Sequence, residues 1–208
     1  MKNPNNIRVK GSGFPPVKLM NAYDFDETIY DGESSVQFIL MYLKNDPKIL
    51  SFLPAVAKVM YKYNRGQISF EDFTAKYGVQ LKQYFNDNDV DLMSLVDEFW
   101  DSHEKNIKPF YKKIQREDDI IITASPEFMM REICDRLSIK NLVATHMDIK
   151  TGDITRACFR EGKIACLRED FPDAVIDDFY TDSMNDSFLF PFAKRVFMVK
   201  GSKIKRIK

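Results

Sequence analysis

The chain has 208 residues and a mass of 24.3 kDa, enough for one hydrophobic core, or for one core carrying a small inserted domain. Its 31 lysines and arginines are matched by 31 aspartates and glutamates, so no net field points to a nucleic-acid partner. Cys134, Cys158 and Cys166 are odd in number and lack CxxC spacing, which argues against a disulfide framework or a zinc site; with no apolar leader in "MKNPNNIRVKGSGFPP", a cytoplasmic setting is expected.

In chain order, Val17, Leu19, Met20, Ala22, Tyr23 and Phe25 predict a short buried strand that stops at an acidic cluster, "DFDET". From Glu33 to about Lys105 the pattern turns helical and predicts a helical insert of roughly 70 residues. Ser51, Pro54 and the pair Ser69 and Asp72 are candidate helix starts. The apolar stretch from Phe38 to Tyr63 is interrupted by Lys44, Asp46, Pro47, Lys48, Pro54 and Lys58, so no piece of it is long enough to span a bilayer. Asp87 to Glu98 has acids spaced as in a calcium loop, but Leu92 stands where the loop needs glycine. An amphipathic helix built on Leu92, Val96, Phe99 and Trp100 is expected there instead.

Strands and helices then alternate. "DIIITA" is a strand, and "SPEFMMREICDRLSI" a helix with Ser125 as N-cap and Pro126 at its first position. "LVATHMDI" is a strand followed by a hairpin turn, "KIACLREDF" a helix, "DDFYTDS" a strand, "NDSFLFPFA" a short helix and "RVFMVKG" the last strand. The basic end, "VKGSKIKRIK", reads as a solvated tail. This alternation predicts an α/β fold, a Rossmann-like three-layer core with a parallel sheet. The core takes residues 1–32 and 106–208, and an inserted helical cap takes 33–105.

Ligands collect beyond the carboxyl ends of parallel strands. Asp24, Asp26, Thr123, Asp182 and Asp186 fall at or after strand ends, and Lys163 opens a helix, so all six are expected on one rim. Four carboxylates there repel one another unless a cation sits among them, and Mg²⁺ is the commonest cation with oxygen ligands. Such a site suits phosphoryl transfer. A strand-end carboxylate attacks phosphorus, and a second one, two residues on and on the same side of an extended chain, serves the leaving oxygen as acid and then water as base.

These motifs resemble the haloacid dehalogenase superfamily of phosphatases, in the subfamily near phosphoserine phosphatase that carries a helical C1 cap. The resemblance runs from Val17 to about Gly201. It implies that Asp24 is the nucleophile, Asp26 the acid and base, and Thr28 a positioning residue near the substrate. Thr123 of "IIITAS" would hydrogen-bond the phosphoryl oxygen, with Ser125 as the alternative. Lys163 of "REGKIACLRE" would hold the phosphoryl charge, with Arg156, Arg160 and Lys150 nearby in sequence. In "TDSMND", Asp182 would join Asp24 and the backbone carbonyl of Asp26 in holding Mg²⁺, with Asp186 supporting them. Glu33 and Asn185 sit at substrate-binding offsets.

Four positions depart from the family pattern: Glu27 and Thr181 stand where glycine is usual, and Ala124 and Ser125 replace a Gly-Gly pair. Tyr77 occupies the place of the arginine that grips the carboxylate of phosphoserine, a loss costly to that substrate. The expected activity is therefore Mg²⁺-dependent hydrolysis of a small phosphomonoester other than L-phosphoserine, through an aspartyl-phosphate. A phosphotransferase sharing that intermediate, or a non-catalytic binding protein on the same scaffold, is the alternative. The second normally lacks one of the paired aspartates, and both are present here. The aromatic and methionine side chains of the insert, Phe38, Met41, Tyr42 and Tyr61 among them, form either its core or an apolar substrate pocket. His103 and His146 lack partners with metal-ligand spacing.

Overall fold

A computed structural model describes residues 19–45 and 91–208, together with the isolated positions 54, 58, 61, 62, 67 and 72. Strand β1 (Leu19–Tyr23) is buried from Met20 to Tyr23, as expected of a strand covered on both faces, with Asn21 the one polar residue in it. It lies in a seven-stranded sheet with β2 (Ile120–Pro126), β3 (Asn141–Met147), β4 (Ile154–Arg156), β5 (Val175–Thr181), β6 (Ala193–Lys200) and β7 (Lys203–Arg206), in the order β4-β3-β2-β1-β5-β6-β7. The five inner strands are parallel, and β4 and β7 add antiparallel edges. Side chains alternate across the sheet as the two-residue period requires. Ile121, Leu142 and Ala144 join one apolar cluster, and Ile120, Ile122 and Val143 the other. Two cores flank one sheet, which makes three layers.

On the first face lie α1 (Ser34–Asn45), α2 (Leu92–His103), the short α3 (Pro109–Ile114) and α4 (Glu127–Arg136). The second face carries α5 (Gly162–Asp170) and a 3₁₀ segment, Met184–Phe192, where a short helix was expected, with Pro191 inside it. Helix α2 is the helix expected in place of a calcium loop. Asp91 caps it, accepting the Ser94 N–H at 3.1 Å, and Leu92, Val96, Phe99 and Trp100 are buried.

Phe38 and Tyr42 of α1 and these four residues of α2 share one apolar cluster with Tyr23, Phe25 and Met130. The Trp100 indole N–H donates to the Met129 carbonyl at 2.8 Å. Helices α1 and α2 are thus packed into the core, and Phe38 and Tyr42 are core residues. Pro54, Lys58, Tyr61, Lys62 and Asp72 are helical. Ser51, Ser69 and Tyr77 lie outside the described residues. The two strands of chain that join the insert to the core pair with each other: the Asp31 N–H donates to Asn106 O at 2.9 Å, the Lys108 N–H donates to Ile29 O at 2.7 Å, and Tyr30 bridges Ile107.

Two local expectations are corrected. The C-terminal basic segment is a strand, β7, hydrogen-bonded along β6, with its four side chains exposed; lysine and arginine on an edge strand discourage further pairing. Strand β2 continues to Pro126, and α4 starts at Glu127 with Pro126 as its cap, so Ser125 caps no helix.

Asp119, just before β2, is fully buried and accepts the Arg116 N–H at 2.7 Å. Burial pushes its carboxyl up to about 6, although the bonds from Arg116 pull the other way. The folded value lies above the unfolded one, about 3.9, so its charge subtracts stability as pH rises through the window between them. Asp119→Asn keeps an acceptor for Arg116. In thermal melts its Tm should gain on the parent from about pH 4 to about pH 6 and hold that gain above; a difference independent of pH would show that this carboxyl titrates normally.

Candidate active site

The first acidic residue emerges at the end of the central strand. β1 and β5 are in register at Tyr23 and Tyr180, and the Asp24 N–H continues the ladder to Tyr180 O at 2.9 Å. Asp182, two residues beyond Tyr180, therefore leaves the neighbouring strand at the same rim, where strands lie about 4.8 Å apart. Past Asp24 the chain tightens into a turn: the N–H groups of Thr28, Ile29 and Tyr30 all point to Phe25 O at 3.0–3.2 Å. Glu27 sits there with φ 55°, in the left-handed region where glycine is unstrained. The buried Lys108 ammonium donates to the Glu27 carbonyl and holds the turn.

Lys163, in the first turn of α5, is the positive centre of the rim. Its ammonium is buried and lies 2.8 Å from Asp24 Oδ1 and 2.7 Å from Asp186 Oδ1. Thr28 Oγ1 donates to Asp24 Oδ2 at 3.2 Å, and Thr181 Oγ1 donates to Asp186 Oδ2 at 2.8 Å. Burial works to lower the Lys163 pKa, but the two facing carboxylates outweigh it and the net shift is upward. Asp24 is pushed well above the usual carboxylate range, by burial first and then by Asp186 and Asp26, against the pull of Lys163. One lysine does not neutralise this many acids.

The second aspartate is held separately. Asp26 Oδ1 accepts the Ser34 N–H at 2.7 Å, and Oδ2 accepts the Ser125 hydroxyl at 2.9 Å. Burial raises its pKa, with the bonds from Ser34 and Ser125 opposing. Thr123, expected at the end of its strand, is buried in the middle of β2, which runs on to Pro126, and accepts the Ser125 N–H at 3.1 Å. Glu33 is exposed at the start of the insert, and its pKa is raised by partial burial and then by Asp26, Glu27 and Asp182. Asp182 is about a quarter exposed, with the Lys200 ammonium 3.6 Å away. Asn185 is exposed in the 3₁₀ segment, its N–H bonded to Ser183 Oγ at 3.1 Å.

A family model described as haloacid dehalogenase-like hydrolase matches residues 22–189, the span from the end of β1 to the 3₁₀ segment that carries Asp186. The chain belongs to this family. Among solved structures, a protein of unknown function from Bordetella pertussis Tohama I superposes with a TM-score of 0.66 at 21% identity, over 86% of this chain and 89% of that one. A phosphoserine phosphohydrolase-like protein from Francisella tularensis subsp. tularensis SCHU S4 superposes at 0.55 and 16% identity, over 86% of each chain. At these identities the likeness is one of fold. No curated protein matches the sequence.

On this dehalogenase-like scaffold the structure brings Asp24, Thr28, Lys163 and Asp186 into one bonded group, and Asp26 with Ser125 into a second, two residues along the chain. Of the other cations near in sequence, Arg156 pairs with Asp170, at 2.6 Å, and Lys163 alone of the four candidates is bonded to Asp24. Both oxygens of Asp186 are engaged, by Lys163 and Thr181, which suits a supporting role. Among the described residues no three acidic, histidine or cysteine side chains form a ready metal cage. Mg²⁺ asks for less: it keeps several waters and takes one or two carboxylates. Asp24, Asp182 and the Asp26 carbonyl offer oxygen donors alone, the kind of ligand it takes. Ser34 and Ser35 bond into this cluster and were not singled out in the sequence, because a hydroxyl at a helix start is too common a signal; Ser125, named there as an alternative phosphoryl ligand, donates here to Asp26. All three cysteines are free and buried. No helix among the described residues is long and apolar enough to cross a membrane.

Proposed function

We propose that the chain is a Mg²⁺-dependent phosphomonoesterase acting through an aspartyl-phosphate on a small phosphorylated metabolite other than L-phosphoserine. The observation that carries this reading is the buried Lys163 ammonium held between Asp24 and Asp186, with Asp26 held independently two residues beyond the attacking carboxylate.

In this mechanism an Asp24 carboxylate oxygen forms a bond to phosphorus as the ester P–O bond breaks. Asp26 gives its proton to the departing alcohol oxygen. As a carboxylate it then takes a proton from water, whose oxygen attacks phosphorus; the bond to Asp24 breaks and inorganic phosphate leaves. Lys163 and the Thr123 hydroxyl orient the phosphoryl oxygens, and Thr28 orients Asp24. Asp24, Asp182 and the Asp26 carbonyl would hold Mg²⁺, which would supply positive charge to the phosphoryl group. Glu33 and Asn185 are assigned to the substrate side of the site, and Asp186 holds Lys163.

The test is hydrolysis of p-nitrophenyl phosphate, then of a panel of serine, sugar and lysolipid phosphates, with Mg²⁺ and after chelation. Turnover is expected to vanish with the metal and return on its addition, and Mg²⁺ should raise Tm, because a ligand bound only by the folded state stabilises it. Absence of metal-dependent turnover across the panel would leave a binding protein. Phosphoserine as the best substrate by a wide margin would overturn the exclusion based on Tyr77.

A further inference from the structure

We infer that Ser125, backed by Ser35, is a positioning residue that aims the Asp26 carboxyl at the leaving oxygen and ties its orientation to helix α1. The inference rests on the phosphatase reading and adds to it residues outside the phosphoryl-binding set.

Asp26 is gripped from two sides. Oδ1 takes the first amide of α1, from Ser34, and Oδ2 takes the Ser125 hydroxyl. The Ser125 oxygen in turn accepts the Ser35 hydroxyl at 2.7 Å. Each hydroxyl has one proton, so the chain Ser35 to Ser125 to Asp26 uses both without conflict. Its members come from α1, β2 and the turn after β1, with 90 positions between Ser35 and Ser125 and 99 between Asp26 and Ser125. Local sequence cannot have produced this meeting by chance of proximity.

The end of β2 is shaped for it. Pairing with β3 jumps from Ile122 to Pro126, which frees Ser125 from the ladder. Its N–H is satisfied by Thr123 Oγ1, and the residue is only 5% exposed. A hydroxyl can give or take a hydrogen bond, so Ser125 remains a partner to Asp26 before and after the proton is passed on. Two bonds on two oxygens fix the carboxyl plane, and proton transfer needs that geometry.

Leaving groups of different basicity separate this role from a merely structural one. A p-nitrophenolate departs with little help, whereas an alkoxide needs its proton. For the full chain with Mg²⁺, kcat/KM is measured for p-nitrophenyl phosphate and for the best alkyl phosphate of the panel. Ser125→Ala is expected to lower the alkyl value roughly tenfold or more and the p-nitrophenyl value by less than about threefold. Ser35→Ala should shift the same ratio in the same direction but less, and it carries the test alone if the Ser125 variant does not fold. Ser125→Thr keeps a hydroxyl and should bring the ratio back toward the parent. Equal losses for the two esters, or no loss for either, overturn the inference; equal losses would mean that Ser125 serves the phosphoryl group or the fold. Failure of the parent itself to turn over any ester overturns the phosphatase reading, and is seen before a variant is made.

Discussion

Asp24→Asn should abolish phosphatase turnover, by about 10⁴-fold or more, while leaving the fold intact. An asparagine amide is too poor a nucleophile to form the acyl-phosphate bond. Its carbonyl can still accept from the Lys163 ammonium, which lies 2.8 Å from Asp24 Oδ1. The Thr28 hydroxyl, now 3.2 Å from Oδ2 as a donor, can rotate to accept instead. The substitution also removes a buried charge whose carboxyl burial holds well above its ordinary range, so Tm near neutral pH should match or exceed that of the parent. Steady-state rates and a thermal melt together check this. Residual turnover above about 1% of the parent would move the nucleophile elsewhere.

The largest effect on stability is expected at Lys163. Lys163→Met keeps most of the side-chain volume but leaves Asp24 and Asp186 buried and facing each other without their cation. Removing one partner of a buried charge group typically costs about 3–5 kcal/mol. The sign of its pH dependence follows. Without the lysine the Asp24 carboxyl, already raised by burial, rises further above its unfolded value, so the folded state holds a proton that the unfolded state has released, and stability falls as pH rises. The deficit against the parent, read from denaturant unfolding, should be smaller near pH 5 than near pH 8. A deficit unchanged over that range would mean that lost packing, rather than uncompensated charge, sets it.

The placing of these acids on one rim was legible before the structure because the residues that gather there sit at strand ends, and strand ends can be read. Asp24 and Asp182 follow apolar runs whose length and punctuation mark where the strands stop, and parallel alternation puts those stops on one rim. Lys163 was reachable through its place at a helix start. What escaped depends on partners remote in sequence. Ser125 followed by Pro126 is a good local cap signal, but a hydroxyl with a buried carboxylate from the turn after β1 within reach has a stronger competing bond. β7 was hidden because an edge strand draws its order from backbone bonds to β6 and leaves no apolar alternation. Lys108 reads as one more surface lysine, and only the folded turn shows the left-handed Glu27 carbonyl it binds. That turn also explains why glycine is usual there: the backbone asks for positive φ, and Glu27 meets the demand at a cost of about 1 kcal/mol.

The paired entry and exit of the insert have a consequence for engineering. Asp31 and Asn106, with Ile29 and Lys108, close the two connections into one ribbon within the core, so the sheet's register does not depend on how far the chain wanders before it returns. A different excursion grafted between α1 and α2 would inherit the same anchored doorway. The stretch between these helices could then be exchanged as a cassette without breaking the backbone bonds that close its base.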